Sequence, residues 1–246
     1  MHLYYYHLNG GCHLVPPKST VHAGLDRDTD RAYLFYGWVI VGLIFFIGFL
    51  IVGSRNGFGV FVTPMEEEFG WTRTHTSLVF MAATLSSGIS QPFLGRIYDR
   101  WGGRKVVLSS LSVIGTFTIL LYFTSNILFL ILVFGVVMAV AMSGASITIG
   151  GALLARWFVR RRATVMAIAT SGTSAGGLVL VPFAAYMMDL TSWRVTWVIL
   201  GSIVLVIAMP LAFLLLRDKP SDLGLMPDGV SSSTSGGNIT GVQPSR

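Results

Sequence analysis

Cysteine is almost missing from this chain: Cys12 is the single one in 246 residues. An internal disulfide is therefore impossible, and no cysteine cluster can hold a metal. Charge is scarce as well, at 11% of residues, against about 25% in soluble domains. The five histidines are His2, His7, His13, His22 and His75, and all lie outside the long apolar runs. No Asp or Glu falls inside those runs either. Acid–base chemistry within the apolar segments thus has no groups to work with, and neither a metal nor a cofactor is expected. The segment Gly172-Thr173-Ser174-Ala175-Gly176 has the spacing of an esterase nucleophile elbow. That elbow needs a strand–turn–helix setting and a histidine partner, so hydrolase chemistry is rejected and the chain is not read as an enzyme. Short alternating strands of the barrel type are absent. Residues 1–32 lack the basic start, apolar core and small-residue cleavage site of a signal peptide. They read as a polar tail, in which His2, Tyr4–Tyr6, His7 and His13 do not make a metal tract.

What the chain has in abundance is apolar length. Hydrophobic residues make up 53%, and mean hydropathy is +0.69. A bilayer-crossing helix needs about 20 apolar residues. Six candidates occur, at 36–62, 76–97, 104–124, 127–154, 162–188 and 193–216. The sequence therefore predicts an all-α, polytopic membrane protein with a six-helix domain over 33–217. A Ser-, Gly- and Pro-rich tail over 218–246 reads as flexible.

Six spans place both termini on one side, and charge selects that side. Arg96, Arg100, Arg104 and Lys105 follow the second run, Arg156 and Arg160–Arg162 the fourth, and Arg217 and Lys219 the sixth. The opposite loops hold Glu66–Glu68, Arg73, Asp189 and Arg194. Excess Lys and Arg mark the cytoplasmic face, so both termini are expected there. The net charge of +6 then serves orientation toward anionic headgroups rather than nucleic-acid binding. The expected location is the cell inner (plasma) membrane, with the lipid bilayer as first partner.

Three groups of residues could carry function. The turn from Gly95 to Lys105 concentrates Arg96, Asp99, Arg100, Arg104 and Lys105, while Gly102 and Gly103 permit a tight reversal. It reads as a conformational latch, or more simply as an orientation loop. Arg55 is the one ionisable residue well inside a predicted span. A charge at the bilayer centre costs about 2.5–3.5 kcal/mol on insertion scales, so it usually faces a cavity or partner. The guanidinium fork fits a carboxylate, which suits an organic anion. An equal alternative places Arg55 roughly 27 Å along the helix from Gly37, near the outer interface, where Arg can snorkel. Finally, Asn56, Gln91, Ser146 and Ser174 lie within spans. They could line a pathway or form interhelical hydrogen bonds.

The stretch Gly95-Arg96-Ile97-Tyr98-Asp99-Arg100-Trp101-Gly102-Gly103-Arg104-Lys105 resembles the signature loop between the second and third helices of major facilitator superfamily transporters. It departs at Gly103, where a basic residue is usual. Tyr36-Gly37-Trp38, Arg55-Asn56-Gly57-Phe58-Gly59-Val60-Phe61 and Glu68-Phe69-Gly70-Trp71-Thr72-Arg73 are similar to the monocarboxylate-transporter-like bacterial branch. So is Trp157-Phe158-Val159-Arg160-Arg161-Arg162, which resembles the motif opening that branch's fifth helix, with departures at Thr164 and Ala167. Asp218–Gly229 resembles the start of the family's central loop. The resemblance implies half of a twelve-helix fold built of 3+3 repeats, with a pathway along the first, second, fourth and fifth helices. It also implies a small organic anion as substrate, with or without a coupled proton, carried by alternating access. The missing partner is then a C-terminal half or a second copy of the chain. A six-helix fragment that self-associates without transporting is the competing expectation.

Overall fold

The computed structural model describes residues 22–158 and 161–217, with side chains from Tyr36 onward. The tail over 218–246, Arg160 and Cys12 lie outside the described residues. Six helices are long and apolar enough to cross a membrane: α1 with span Tyr36–Phe69, α2 Arg73–Trp101, α3 Gly103–Phe123, α4 Ile127–Trp157, α5 Arg162–Leu190 and α6 Trp193–Leu215. The described chain is otherwise loops, and it forms an all-α multi-pass membrane fold.

Local chemistry sets most boundaries. The three helices that begin at the Glu-rich end carry polar caps. Asn126 Oδ1 accepts from the Phe129 N–H at 2.7 Å, Ser192 Oγ from Val195 at 3.3 Å, and Thr72 pairs with His75 in a capping box. These side chains satisfy N–H groups that a first helical turn leaves open. α1 extends further than its apolar pattern suggests. It begins at His22, inside the stretch read as a polar tail, and continues past Pro64 to Phe69. Residues Met65 to Glu68 are strong helix formers, and membrane helices tolerate an internal proline. Gly70, at φ +64°, ends the helix as only a glycine does readily.

The helices pack in three pairs: α1 on α5, α2 on α4 and α3 on α6. Exchanging each helix with the one three places on leaves these pairings unchanged, which is the pattern of two three-helix units. Glycine brings each pair close. A Cβ at Gly172 or Gly176 of α5 would run into the Phe45 and Phe49 backbone of α1. A Cβ at Gly201 would lie 2.8 Å from the Gly115 carbonyl oxygen, and one at Gly135 would lie 3.3 Å from the Val79 carbonyl oxygen. Lipid tails are as apolar as leucine, so close van der Waals packing at small residues holds such helices together.

At one end, Tyr36 Oη donates to the Leu215 carbonyl at 3.0 Å, so the first span begins beside the end of the last. At the other, Glu68 accepts from Trp193 Nε1 at 2.7 Å and from Arg194 at 2.6 Å. Arg194 also lies over the Trp193 ring at 4.3 Å. This clasp ties α1 to α6. Because both charged groups are part-exposed, Glu68→Ala should lower stability by about 1 kcal/mol. A double-mutant cycle with Arg194→Ala, read by thermal unfolding, should return a coupling of that size. Additive losses would mean the clasp contributes nothing.

Candidate functional site: a polar cavity between three helices

A cavity of about 280 Å³ opens between α1, α2 and α4. α2 forms most of its wall. Phe80, Ala83, Thr84, Ser87, Gly88 and Gln91 line it, at the three- and four-residue spacing that keeps side chains on one helix face. Arg55 enters from α1, and Phe134, Ala139 and Met142 close the far side from α4. Ser87 Oγ donates to the Ala139 carbonyl at 3.2 Å, clipping α2 to α4 at the cavity wall.

Arg55 dominates the electrostatics. Its helix runs on to Phe69, which leaves Arg55 roughly 21 Å from that end at 1.5 Å per residue. Its side chain lines the cavity. Among the described residues Arg55 makes no hydrogen bond or ion pair, and no carboxylate lines the cavity. Below it, Phe58 and Phe61 continue the same helix into a buried aromatic cluster. Phe58 stacks on Phe134 at 4.2 Å and Phe61 on Trp197 at 4.0 Å. The site therefore presents one planar cation, an amide and two hydroxyls above an aromatic floor.

The wall from α4 is irregular on both sides. Residues Ile131–Met138 wind as a π-helix, a geometry often found at functional sites. The helix is then interrupted at Ala145–Ser146, where Ser146 takes ψ 164°, and resumes at Ile147.

The structure gathers only part of the residue set read from sequence. Arg55 and Gln91 meet in the cavity. Asn56 points elsewhere, toward α5, where its Nδ2 lies 3.2 Å from the position a Cβ on Gly177 would take. Ser174 is exposed on α5. Ser146 borders a separate recess of about 20 Å³ with Ile44, Gly48 and Gly150. Thr84, Ser87 and Gly88 were absent from the sequence expectation. The signal that finds them is the stripe Phe80, Thr84, Ser87, Gln91, which matters once α2 is known to face a cavity.

At the arginine-rich end, Gly102 has φ +86° and its N–H bonds to Tyr98 O at 2.9 Å. The sharp reversal between α2 and α3 thus depends on glycine. Arg104 donates to the Phe213 carbonyl at 2.7 Å and lies over the Phe213 ring, tying the turn to α6. Arg156 sits 5.0 Å above the Tyr98 ring. Gly95, Asp99, Arg100 and Lys105 are exposed, as are Arg161 and Arg162.

The sequence profile of the Major Facilitator Superfamily matches residues 44–229. The chain belongs to that superfamily. An "Uncharacterized MFS-type transporter YcxA" of Bacillus subtilis is 27% identical over 74% of this chain and 45% of its own length. Monocarboxylate transporter 11 of Mus musculus is 27% identical over 69% of this chain and 38% of its own. A "Probable sulfoacetate transporter SauU" of Cupriavidus necator is 26% identical over 74% and 42% respectively. The chain spans less than half the length of these relatives. For this superfamily member the six helices are consistent with a half-fold.

Proposed function

We propose that this chain forms one half of a secondary carrier for small organic anions, with Arg55 as the anion anchor. The observation that carries the reading is an Arg55 guanidinium without a protein partner, facing a cavity with Gln91, Thr84 and Ser87. A carboxylate accepts two parallel hydrogen bonds from such a fork, and the Gln91 amide offers a further donor. The Thr84 and Ser87 hydroxyls, which donate to the Phe80 and Ala139 carbonyls, present acceptor lone pairs to the rest of the ligand. The relatives named for monocarboxylates and for sulfoacetate act, by name, on molecules with a carboxylate group, and this supports the same substrate class here.

Alternating access requires a second six-helix unit facing this one. It would be supplied by a C-terminal half or by a second copy of the chain. The exposed polar positions Asn56, Gln91 and Ser174 would then border the shared pathway. The arginine-rich end would be cytoplasmic by the positive-inside rule, in the cell inner membrane. Gly95, Asp99, Arg100, Gly102, Arg104 and Lys105, with Arg160, Arg161 and Arg162, would govern rocking at that end. With no carboxylate in the cavity, any coupled proton would travel on the substrate or through the facing unit. The protein acts as a carrier, not an enzyme.

The test is uptake of radiolabelled formate, lactate and pyruvate into vesicles containing the chain, and into vesicles that also contain a facing half. Saturable uptake that unlabelled carboxylates suppress is expected when the pathway is complete. Uptake no greater than in empty vesicles under both conditions, with no carboxylate binding to the purified chain, would sink the proposal and leave the non-transporting fragment.

A further inference from the structure

Most glycines in this bundle have a packing reason: Gly115, Gly135, Gly172, Gly176 and Gly201 all sit against a neighbouring helix. Gly88 does not. It lies within α2, where glycine costs about 1 kcal/mol relative to alanine, yet a Cβ there would meet no atom within 4 Å. It also has an ordinary helical φ, so backbone conformation does not demand glycine. Its distinction is location: it is the one glycine of the cavity wall, flanked by Thr84, Ser87 and Gln91.

From this we infer that Gly88 sets the size of anion the cavity accepts. The argument is one of volume. Arg55 holds the charged head, and the aromatic side is closed by Phe80 and Phe134, which pack on Phe58. Phe134 is buried in that cluster and cannot retreat without disturbing it, while Phe80, part-exposed, caps the opening. The ligand body must therefore occupy the space along the α2 wall, and the missing side chain at Gly88 leaves that space open. A Cβ there meets no described atom within 4 Å, and isopropyl or isobutyl groups would fill progressively more of the cavity. Selection would shift toward smaller anions, with no polar contact to the carboxylate removed.

The inference rests on the anion reading above, and one assay separates the two. Cys12 is the only cysteine, so the full chain carrying Cys12→Ser and Ala83→Cys has a single thiol, placed in the cavity wall. In nanodiscs its labelling by an anionic thiosulfonate is timed with formate, acetate, lactate or benzoate as competitor. Each carboxylate should slow labelling while Gly88 is present. Adding Gly88→Ala, Gly88→Val or Gly88→Leu should weaken protection by benzoate in steps, reaching about tenfold or more, and leave formate within about twofold. Retained formate protection also certifies that each variant is folded. Parallel loss for formate and benzoate, or no loss for either, overturns the role of Gly88. No protection by any carboxylate in the parent overturns the anion reading, and the Gly88 inference with it.

Discussion

Arg55→Gln should weaken carboxylate binding on the order of 100-fold while leaving the fold at least as stable as before. The loss corresponds to about 2–3 kcal/mol, the range for hydrogen bonds to a charged partner. Glutamine keeps polarity and much of the length but offers neither charge nor fork. Arg55→Lys restores the charge alone, as a strongly hydrated point without bidentate geometry, and should recover only part of the affinity. The stability side has the opposite sign from most polar substitutions. Among the described residues Arg55 has no protein partner to lose, and a central arginine costs about 2.5–3.5 kcal/mol on insertion scales. Removing it therefore relieves a cost. Competitive thiol protection would measure affinity, and thermal unfolding in detergent would measure stability. Unchanged carboxylate protection in Arg55→Gln removes the anchor. A fall in stability that matches the fall in binding assigns Arg55 to the fold.

The second large effect is structural. Gly176→Val should destabilise the bundle by about 3 kcal/mol or more, at or above the upper end of overpacking costs, because the obstacle is backbone. A Cβ at Gly176 would stand 2.7 Å from the Phe49 carbonyl carbon, and one at Gly172 would stand 3.0 Å from the Phe45 Cα. Neither α1 nor α5 can yield locally, so the pair must separate along its length. Gly177→Ala is the matched control. Its Cβ would meet only the Asn56 Nδ2 at 3.2 Å, the tip of a movable side chain, and the cost should stay below about 1 kcal/mol. Equal unfolding temperatures for the two variants would show that α1 and α5 are not held by glycine contact.

Much of the architecture was legible because the bilayer imposes a coarse rule. An apolar run of sufficient length must become a helix, since lipid cannot satisfy exposed backbone groups. Six runs therefore gave six spans, and the spacing of Gly95 to Lys105 pointed to the superfamily later matched by its profile. The ends were less legible. The first apolar run was bounded at 62, but the helix formers after Pro64 carry α1 on to Phe69.

The site was only half legible. Composition singled out Arg55 because a lone charge in an apolar run is conspicuous. Thr84, Ser87 and Gly88 carry no such mark, being ordinary small residues in membrane helices. Asn56 neighbours Arg55 in sequence but faces α5, since adjacent helical positions point about 100° apart. The sequence by itself determined the number of spans and the superfamily, and singled out one arginine as a candidate, because each depends on local composition or a contiguous motif. Only the tertiary structure decided which α2 face meets Arg55, which glycines pack and which one lines a cavity. Those outcomes depend on how α1, α2 and α4 are rotated against each other, and that rotation is set by contacts between residues far apart in the chain.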